Sequence, residues 1–178
     1  MIMASGAKPD RTIIFVLFAA EEFGLLGSKA WVEAHKDILP NISNMFNRDG
    51  GPLPYTSFSV PQSMLKEYEK IAKPIQELYP DYDFKVSAIT PFKKPTRTGG
   101  NDASTFSVAG VPAVQMADWG DPKGYNFQYT EIWHTERDIF NKSIPEYQEQ
   151  AATTLALMVL GTANAPKQWP RNEVFLAE

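Results

Sequence analysis

Residues 11–20 read Arg-Thr-Ile-Ile-Phe-Val-Leu-Phe-Ala-Ala, a continuous apolar run rich in branched and aromatic side chains. Such a run without polar alternation suits a strand covered on both faces, so the pattern predicts a central strand here. Glu21 and Glu22 follow directly, and then Leu25, Leu26, Ala30, Trp31 and Ala34 recur at helical spacing up to about Lys36. The double glutamate therefore stands where a strand gives way to a helix. Past Pro40, residues 42–46 form a second short apolar run, closed by Asn47-Arg48-Asp49-Gly50-Gly51. Another carboxylate is thus placed at a strand's end.

Between Gln62 and Tyr79, apolar residues at Met64, Leu65, Tyr68, Ile71, Ala72, Ile75 and Leu78 mark an amphipathic helix, which Pro74 is expected to kink or interrupt. Residues 84–89 alternate as a strand does. Two prolines, two adjacent lysines and a Gly-Gly pair make residues 91–100 a loop. Residues 102–109 read as a short helix with a polar start and Gly110 as its stop, and residues 111–116 as a strand ending near Asp118. Residues 120–138 are aromatic and irregular. Residues 145–160 form a further amphipathic helix, with Ser143 in place to act as N-cap. Strands alternating with helices predict an α/β sandwich on a largely parallel or mixed sheet, with ligands bound beyond the carboxyl ends of the strands.

The 178 residues amount to one domain, with a core that needs no disulfides. Seventeen basic against 21 acidic side chains leave a formal charge of −4, and no basic cluster exceeds Lys93-Lys94. That argues against a phosphate-binding surface, and so against nucleic acid as partner. The absence of cysteine excludes disulfides, thiolate zinc sites and cysteine nucleophiles, so any metal must sit on carboxylates and imidazoles. The longest apolar run, residues 13–20, falls well short of the roughly 20 residues of a membrane-spanning helix. The Asn-x-Ser matches at Asn41 and Asn141 matter only in a eukaryotic secretory pathway.

Two adjacent acids after a buried strand repel each other and lose hydration, so they need a cation or a raised pKa. With a divalent metal, one glutamate can bind it while its neighbour serves as a general base; without one, the pair reads as the acidic first turn of the helix that follows. Asp49 before Gly-Gly is either a ligand or an ordinary turn residue. His134 lies in a loop, Trp133-His134-Thr135-Glu136-Arg137-Asp138, where an imidazole with a nearby carboxylate suits a metal ligand. His35 is expected to be solvated at a helix end. Asp102, after Gly99-Gly100-Asn101, either caps the short helix or points into a cleft. Trp119, Tyr125, Phe127, Tyr129 and Trp133 crowd the chain before His134, as an apolar specificity pocket or as packing for an irregular loop. No Gly-x-Ser-x-Gly elbow supports a serine hydrolase.

Taken in order, Glu21-Glu22-Phe23-Gly24-Leu25-Leu26-Gly27-Ser28 behind the apolar run, Asn47-x-Asp49, Gly99-Gly100-Asn101-Asp102 with Gly110-Val111-Pro112, and Trp133-His134-Thr135 with Asp138 resemble metallopeptidase family 28. This family comprises dinuclear zinc aminopeptidases and carboxypeptidase Q-like enzymes. The resemblance implies a zinc-exopeptidase-like three-layer α/β/α sandwich with a mostly parallel or mixed sheet. It implies Glu21 as general base, Glu22, Asp49 and His134 as zinc ligands, and Asp102, Asp138 and Tyr129 as substrate-binding or supporting residues. Ala103 stands where the family pattern has histidine, and Ile139 replaces a usual threonine.

Family members also carry a His-x-Asp block and a bridging aspartate ahead of the strand matched by residues 13–18, and neither occurs here. The resemblance therefore implies three of five protein ligands for two zincs, a partial site, and a C-terminal portion of a catalytic domain over residues 11–165. Residues 1–10 are expected to be a disordered leader and 166–178 a tail, and the sheet is expected to lack its N-terminal strands. The expected partner is a peptide or aminoacyl substrate, with a second copy or an N-terminal segment completing the site. The isolated chain is expected to be inactive, and an exported location, periplasmic or secreted, follows from the family. The alternative is a non-catalytic α/β binding domain.

Overall fold

A computed structural model describes residues 2–177. Its helices follow the hydrophobic periodicity: α1 spans Leu26–Ala34, α2 Leu65–Leu78, α3 Ala103–Val108, α4 Tyr129–Ile132 and α5 Pro145–Asn164. Strands β1, Ser57–Val60, and β2, Lys85–Ala88, pair in parallel with Phe58 opposite Val86. Pro74 does not break α2. The residue is exposed, so the carbonyl deprived of its N–H partner faces water. Ser143 does not cap α5, whose N-cap position is Ile144; its hydroxyl receives the Gln148 side-chain amide instead, at 3.3 Å.

The core lies in two main clusters on opposite sides of an extended layer. One gathers Phe58, Val60, Tyr68, Ile75, Met158 and Trp169 between the strands, α2 and α5. The other holds Leu39, Phe106 and Val111, with Phe18, Trp31 and Met45 packed on it from α1, α3 and their neighbours. Residues 111–116 serve both: Val111 and Ala113 face the second cluster, Val114 and Met116 the first. That is the period-2 alternation of a chain between two layers, and it gives the α/β sandwich its three levels. The Met45 N–H donates to Pro112 O at 2.8 Å, and Ser57 bridges Ala117 in antiparallel fashion, so 42–46, 111–117 and β1 lie side by side.

Residues 11–20 depart from the expected buried strand. Ile14, Phe15 and Leu17 are 53%, 77% and 101% exposed, and among the described residues the assigned strands are β1 and β2 alone. A strand is stable only when a neighbour takes its N–H and C=O groups, and composition cannot supply that neighbour. Phe18 does reach the core, 5.9 Å from the Phe106 ring.

Contacts tie Asp10, Arg11 and the segment after α5 to the rest of the fold. The Asp10 N–H donates to Asn164 Oδ1 at 2.9 Å, and Arg11 Nη1 donates to Ala163 O at 3.0 Å. Trp169, Val174 and Phe175 lie in the first cluster, so the domain continues past residue 165. The irregular stretch before His134 is held by side chains. The Tyr147 hydroxyl donates to Asp121, whose carboxylate also accepts the Tyr125 and Asn126 N–H groups. These bonds pull the Asp121 pKa down, the Tyr147 bond most of all.

Candidate active site

The turn that carries the double glutamate is tightly folded. Leu25 N–H donates to Glu21 O at 2.9 Å, and Leu26 N–H to Ala20 O at 3.2 Å. Ala20 and Leu25 take φ of 58° and 62°, a region that costs side-chain-bearing residues about 1–2 kcal/mol each. Strain of this kind is retained where surrounding contacts over-determine the backbone. One such contact is buried Ser28, whose hydroxyl lies 3.3 Å from Leu25 O and 3.1 Å from Thr105 Oγ1. The glutamate turn is thereby bound to α3, the helix that Asp102 precedes.

Asp49 sits on a turn clamped by its neighbour. Arg48 donates through Nη1 to Asp118 Oδ2 at 2.9 Å and through Nη2 to Gly51 O and Leu53 O at 2.7 and 2.8 Å. Its guanidinium carbon also lies 4.8 Å from the centre of the Tyr55 ring. A side chain at Gly50 would place Cβ 2.2 Å from Asp118 Oδ2, so only glycine permits this approach. Arg48 and Asp118 are the positioning residues that sequence reasoning did not single out; their partnership joins residues distant in the chain and has no local signal.

His134 follows α4 with φ of 55°, and its Nε2 lies 3.1 Å from Glu22 Oε2. The carboxylate beside the imidazole is thus Glu22, while Asp138 is exposed and donates its backbone N–H to Thr135 O. Tyr129 is half-buried, with its ring against Gly51, stacked 6.5 Å from Trp133 and 6.4 Å edge-on from Trp119. Asp102 occupies the N-cap position of α3 but its side chain makes no cap bond, contrary to the capping alternative. It is buried, at 8% exposure, and its Oδ1 has no hydrogen-bond partner. Asn101 takes over the cap, accepting the Ala103 N–H at 3.1 Å. His35 stacks on Trp31 at 4.3 Å and contacts Trp31 O through Nδ1, a structural role at the end of α1.

Electrostatics show what the fold has gathered. Loss of hydration pushes Glu21 up, with the charges of Asp49, Glu22 and Asp102 adding to it and His134 opposing. Asp49 is pushed up in the same way, first by burial and then by Asp102, Glu22 and Asp118. The Tyr129 phenol also rises, first by burial and then through Asp49, Asp118 and Glu22. Residues from five separate stretches of chain therefore share one field, and that field is negative. A cavity of about 290 Å³ opens beside Glu21 and Glu22, bounded also by Gly24, Leu25, Lys29, Thr98, Gly99 and Gly100.

Carboxylates crowded in this way attract a cation. The Glu22–His134 separation of 3.1 Å is that of an ion pair, a little shorter than the roughly 3.3–3.6 Å between two ligands on one tetrahedral ion with bonds of about 2.0–2.2 Å. Among the described residues, however, no three His, Asp or Glu side chains are grouped closely enough to hold a metal by themselves. Glu22 and His134 stand as a pair, and Asp49 shares their field without joining them.

A raised acid favours the fold in its protonated form, so its contribution is present below the unfolded pKa and is lost as pH rises through the folded one. Asp49→Asn is accordingly expected to stabilise the chain at neutral pH, with the gain fading below the ordinary carboxylate range. Urea unfolding of both proteins from pH 3 to 8 checks this; a gain independent of pH would deny Asp49 its raised value.

The chain is similar to several known proteins. Carboxypeptidase Q of Rattus norvegicus is 24% identical over 94% of this chain and 32% of its own length. Carboxypeptidase Q of Homo sapiens is 22% identical over 97% of the chain and 33% of its own length. Transferrin receptor protein 2 of Rattus norvegicus is 26% identical over 73% and 18%. A Peptidase M28 precursor from Shewanella amazonensis SB2B, solved at 1.70 Å, superposes with a TM-score of 0.68 at 25% identity, covering 92% of this chain and 34% of that one. The chain thus spans about a third of the length of the carboxypeptidases it matches. The model of Peptidase family M28 matches residues 1–159, which include every residue of the site just described, and the chain belongs to that family.

Proposed function

We propose that this chain carries part of the catalytic machinery of a zinc-dependent exopeptidase of the aminopeptidase type. The observation that supports the reading best is the Glu22–His134 pair at 3.1 Å with Glu21 beside it at the same cavity. Glu22 and His134 would hold one zinc, and Asp49 would serve a second, with the remaining ligands supplied from outside these 178 residues. Zinc, when bound, polarises the scissile carbonyl and lowers the pKa of water. Glu21 takes the proton of the attacking water on its carboxylate and returns it to the leaving amine. Its raised pKa brings it toward the range where both transfers are favourable. Asp102 and Tyr129 bound the substrate position, and Asp138 supports the His134 loop. The substrate is a peptide, hydrolysed in an exported compartment by the longer protein; the chain alone has little turnover.

Zinc stoichiometry tests the reading. The chain is stripped with chelator, reloaded, dialysed and assayed by metal mass spectrometry. One weakly held zinc is expected, and Glu22→Ala or His134→Ala should each abolish it. Two tightly held zincs would show that the ligand set is complete by another route. Zinc retained in both variants would refute the assignment of these ligands. A second reading, a non-catalytic binding domain, draws support from the likeness to a protein named as a receptor and from Ala103 in the place of the family's histidine. A His-x-Asp block and a bridging aspartate in frame upstream would exclude it.

A further inference from the structure

His134 stands at the tip of a loop whose base is closed by side chains. It lies thirteen residues from Asp121 on one side and thirteen from Tyr147 on the other, and the Tyr147 hydroxyl donates to the Asp121 carboxylate. That bond joins the two ends of the segment at the first turn of α5. Neighbouring contacts reinforce it. The Lys123 N–H donates to the Tyr147 hydroxyl oxygen at 2.8 Å, and the Tyr125 and Tyr82 hydroxyls donate to Glu146 at 2.7 and 3.0 Å. Tyr147 is fully buried, with the Tyr82 and Tyr125 rings edge-on to it at 5.9 and 5.1 Å. Burial, and then the bond to Asp121, pushes its phenol up to about 12, so it remains a donor across the neutral range.

The tip has few outside ties. Residues 133–140 are exposed, and their hydrogen bonds stay within the segment: Thr135 Oγ1 donates to Glu131 O at 2.8 Å, and the Asp138 N–H to Thr135 O at 3.2 Å. Yet His134 holds φ of 55° and Asn126 φ of 56°. Backbone of this kind persists where surrounding contacts over-determine it. At Asn126 the contact is Asp121 itself, which accepts its N–H at 2.6 Å. Between base and tip, the Phe127 and Tyr129 rings press on Gly51, 3.0 and 3.4 Å from where a Cβ would stand, and Ile132 is buried. The base therefore sets the course on which the chain leaves α5, and that course brings His134 to Glu22.

We propose that Tyr147 and Asp121 are positioning residues for His134: by closing the base of the 121–147 loop they hold the imidazole opposite Glu22. The proposal rests on the exopeptidase reading, in which that pair holds one zinc. With the base open, the ends of a long loop would have to be brought together again when the metal binds, at a cost in chain entropy. A hydrogen bond to a carboxylate is among the stronger ones in proteins, and its loss is expected to weaken zinc binding about 5- to 10-fold.

Tyr147→Phe deletes the donor while keeping the ring, and Asp121→Asn removes the charge of the acceptor. Tyr68→Phe is the control, because it deletes a buried, hydrogen-bonded hydroxyl in the main core, outside the loop. All are made in the full chain, with circular dichroism confirming that each is folded; should Tyr147→Phe fail to fold, Asp121→Asn, at a half-buried position, carries the test. The first readout is NMR of the histidine rings without zinc, with His35, the other of the two histidines, as internal reference. The His134 signals are expected to shift and broaden in both loop variants and to stay in place in Tyr68→Phe, while His35 does not move. The second readout is zinc affinity by competition with a chelating dye, expected to fall about 5- to 10-fold in the loop variants and less than twofold in the control. His134 signals unchanged in both loop variants, zinc affinity unchanged where those signals move, or an equal loss of affinity in Tyr68→Phe would each overturn the proposal. If the wild type holds no zinc while His134 still moves with the loop variants, the positioning role stands and the exopeptidase reading falls.

Discussion

Glu21→Gln, placed in a form of the protein that hydrolyses peptides, is expected to lower kcat by about 10²–10⁴ while zinc stays bound and the melting temperature does not fall. Glutamine keeps the shape of the side chain and removes its proton affinity. Glu21 is outside the Glu22–His134 pair, so the change does not touch the donors proposed to hold zinc. It also relieves repulsion among Glu21, Glu22, Asp49 and Asp102. The loss should fall on kcat rather than KM, because a base acts in the transition state and adds little to ground-state binding. Turnover within threefold of wild type, measured on the zinc-loaded variant, would remove Glu21 from the role of base.

Trp169→Ala is expected to destabilise the chain by about 3–5 kcal/mol, a large share of the roughly 5–15 kcal/mol by which domains are stable. Trp169 is 1% exposed, 5.6 Å from the Phe58 ring and 5.8 Å from Tyr68. Its Nε1–H donates to Tyr68 OH at 2.7 Å, Tyr68 donates on to Thr162 Oγ1 at 2.7 Å, and Thr162 to Met158 O at 2.8 Å. This relay binds the C-terminal segment to α2 and α5. Trp119→Ala is the control: at 79% exposure it should shift stability by no more than about 0.5 kcal/mol. Urea unfolding with constant slope measures both. A cost below about 1 kcal/mol for Trp169→Ala would mean that residues past 165 are not docked in the core.

Both predictions rest on placements of different legibility. That Glu21 stands at the end of an apolar run and the start of a helix is visible in a stretch of ten residues, because both periodicities are local. That Trp169 fills the main core is not, since an isolated tryptophan after Pro166-Lys167-Gln168 has no pattern to declare its burial. The same division runs through the site. Asp102 read more readily as a cap than as a cleft residue, and only the packing of α3 against α1 through Ser28 and Thr105 left its Oδ1 buried without a partner.

By itself the sequence determined the α/β alternation, the courses of α1, α2, α3 and α5, the lack of thiol chemistry, and the order in which Glu21, Glu22, Asp49 and His134 occur. These follow from propensity, periodicity and composition, which act over a few residues. The tertiary structure alone decided that Glu22 meets His134 and that Arg48 clamps the Asp49 turn onto Asp118. It also decided that residues 11–17, the most strand-like run in the chain, pair with no strand among the described residues. Each of these is a contact between distant stretches, or the want of one, and the backbone must close long loops before any such contact is made.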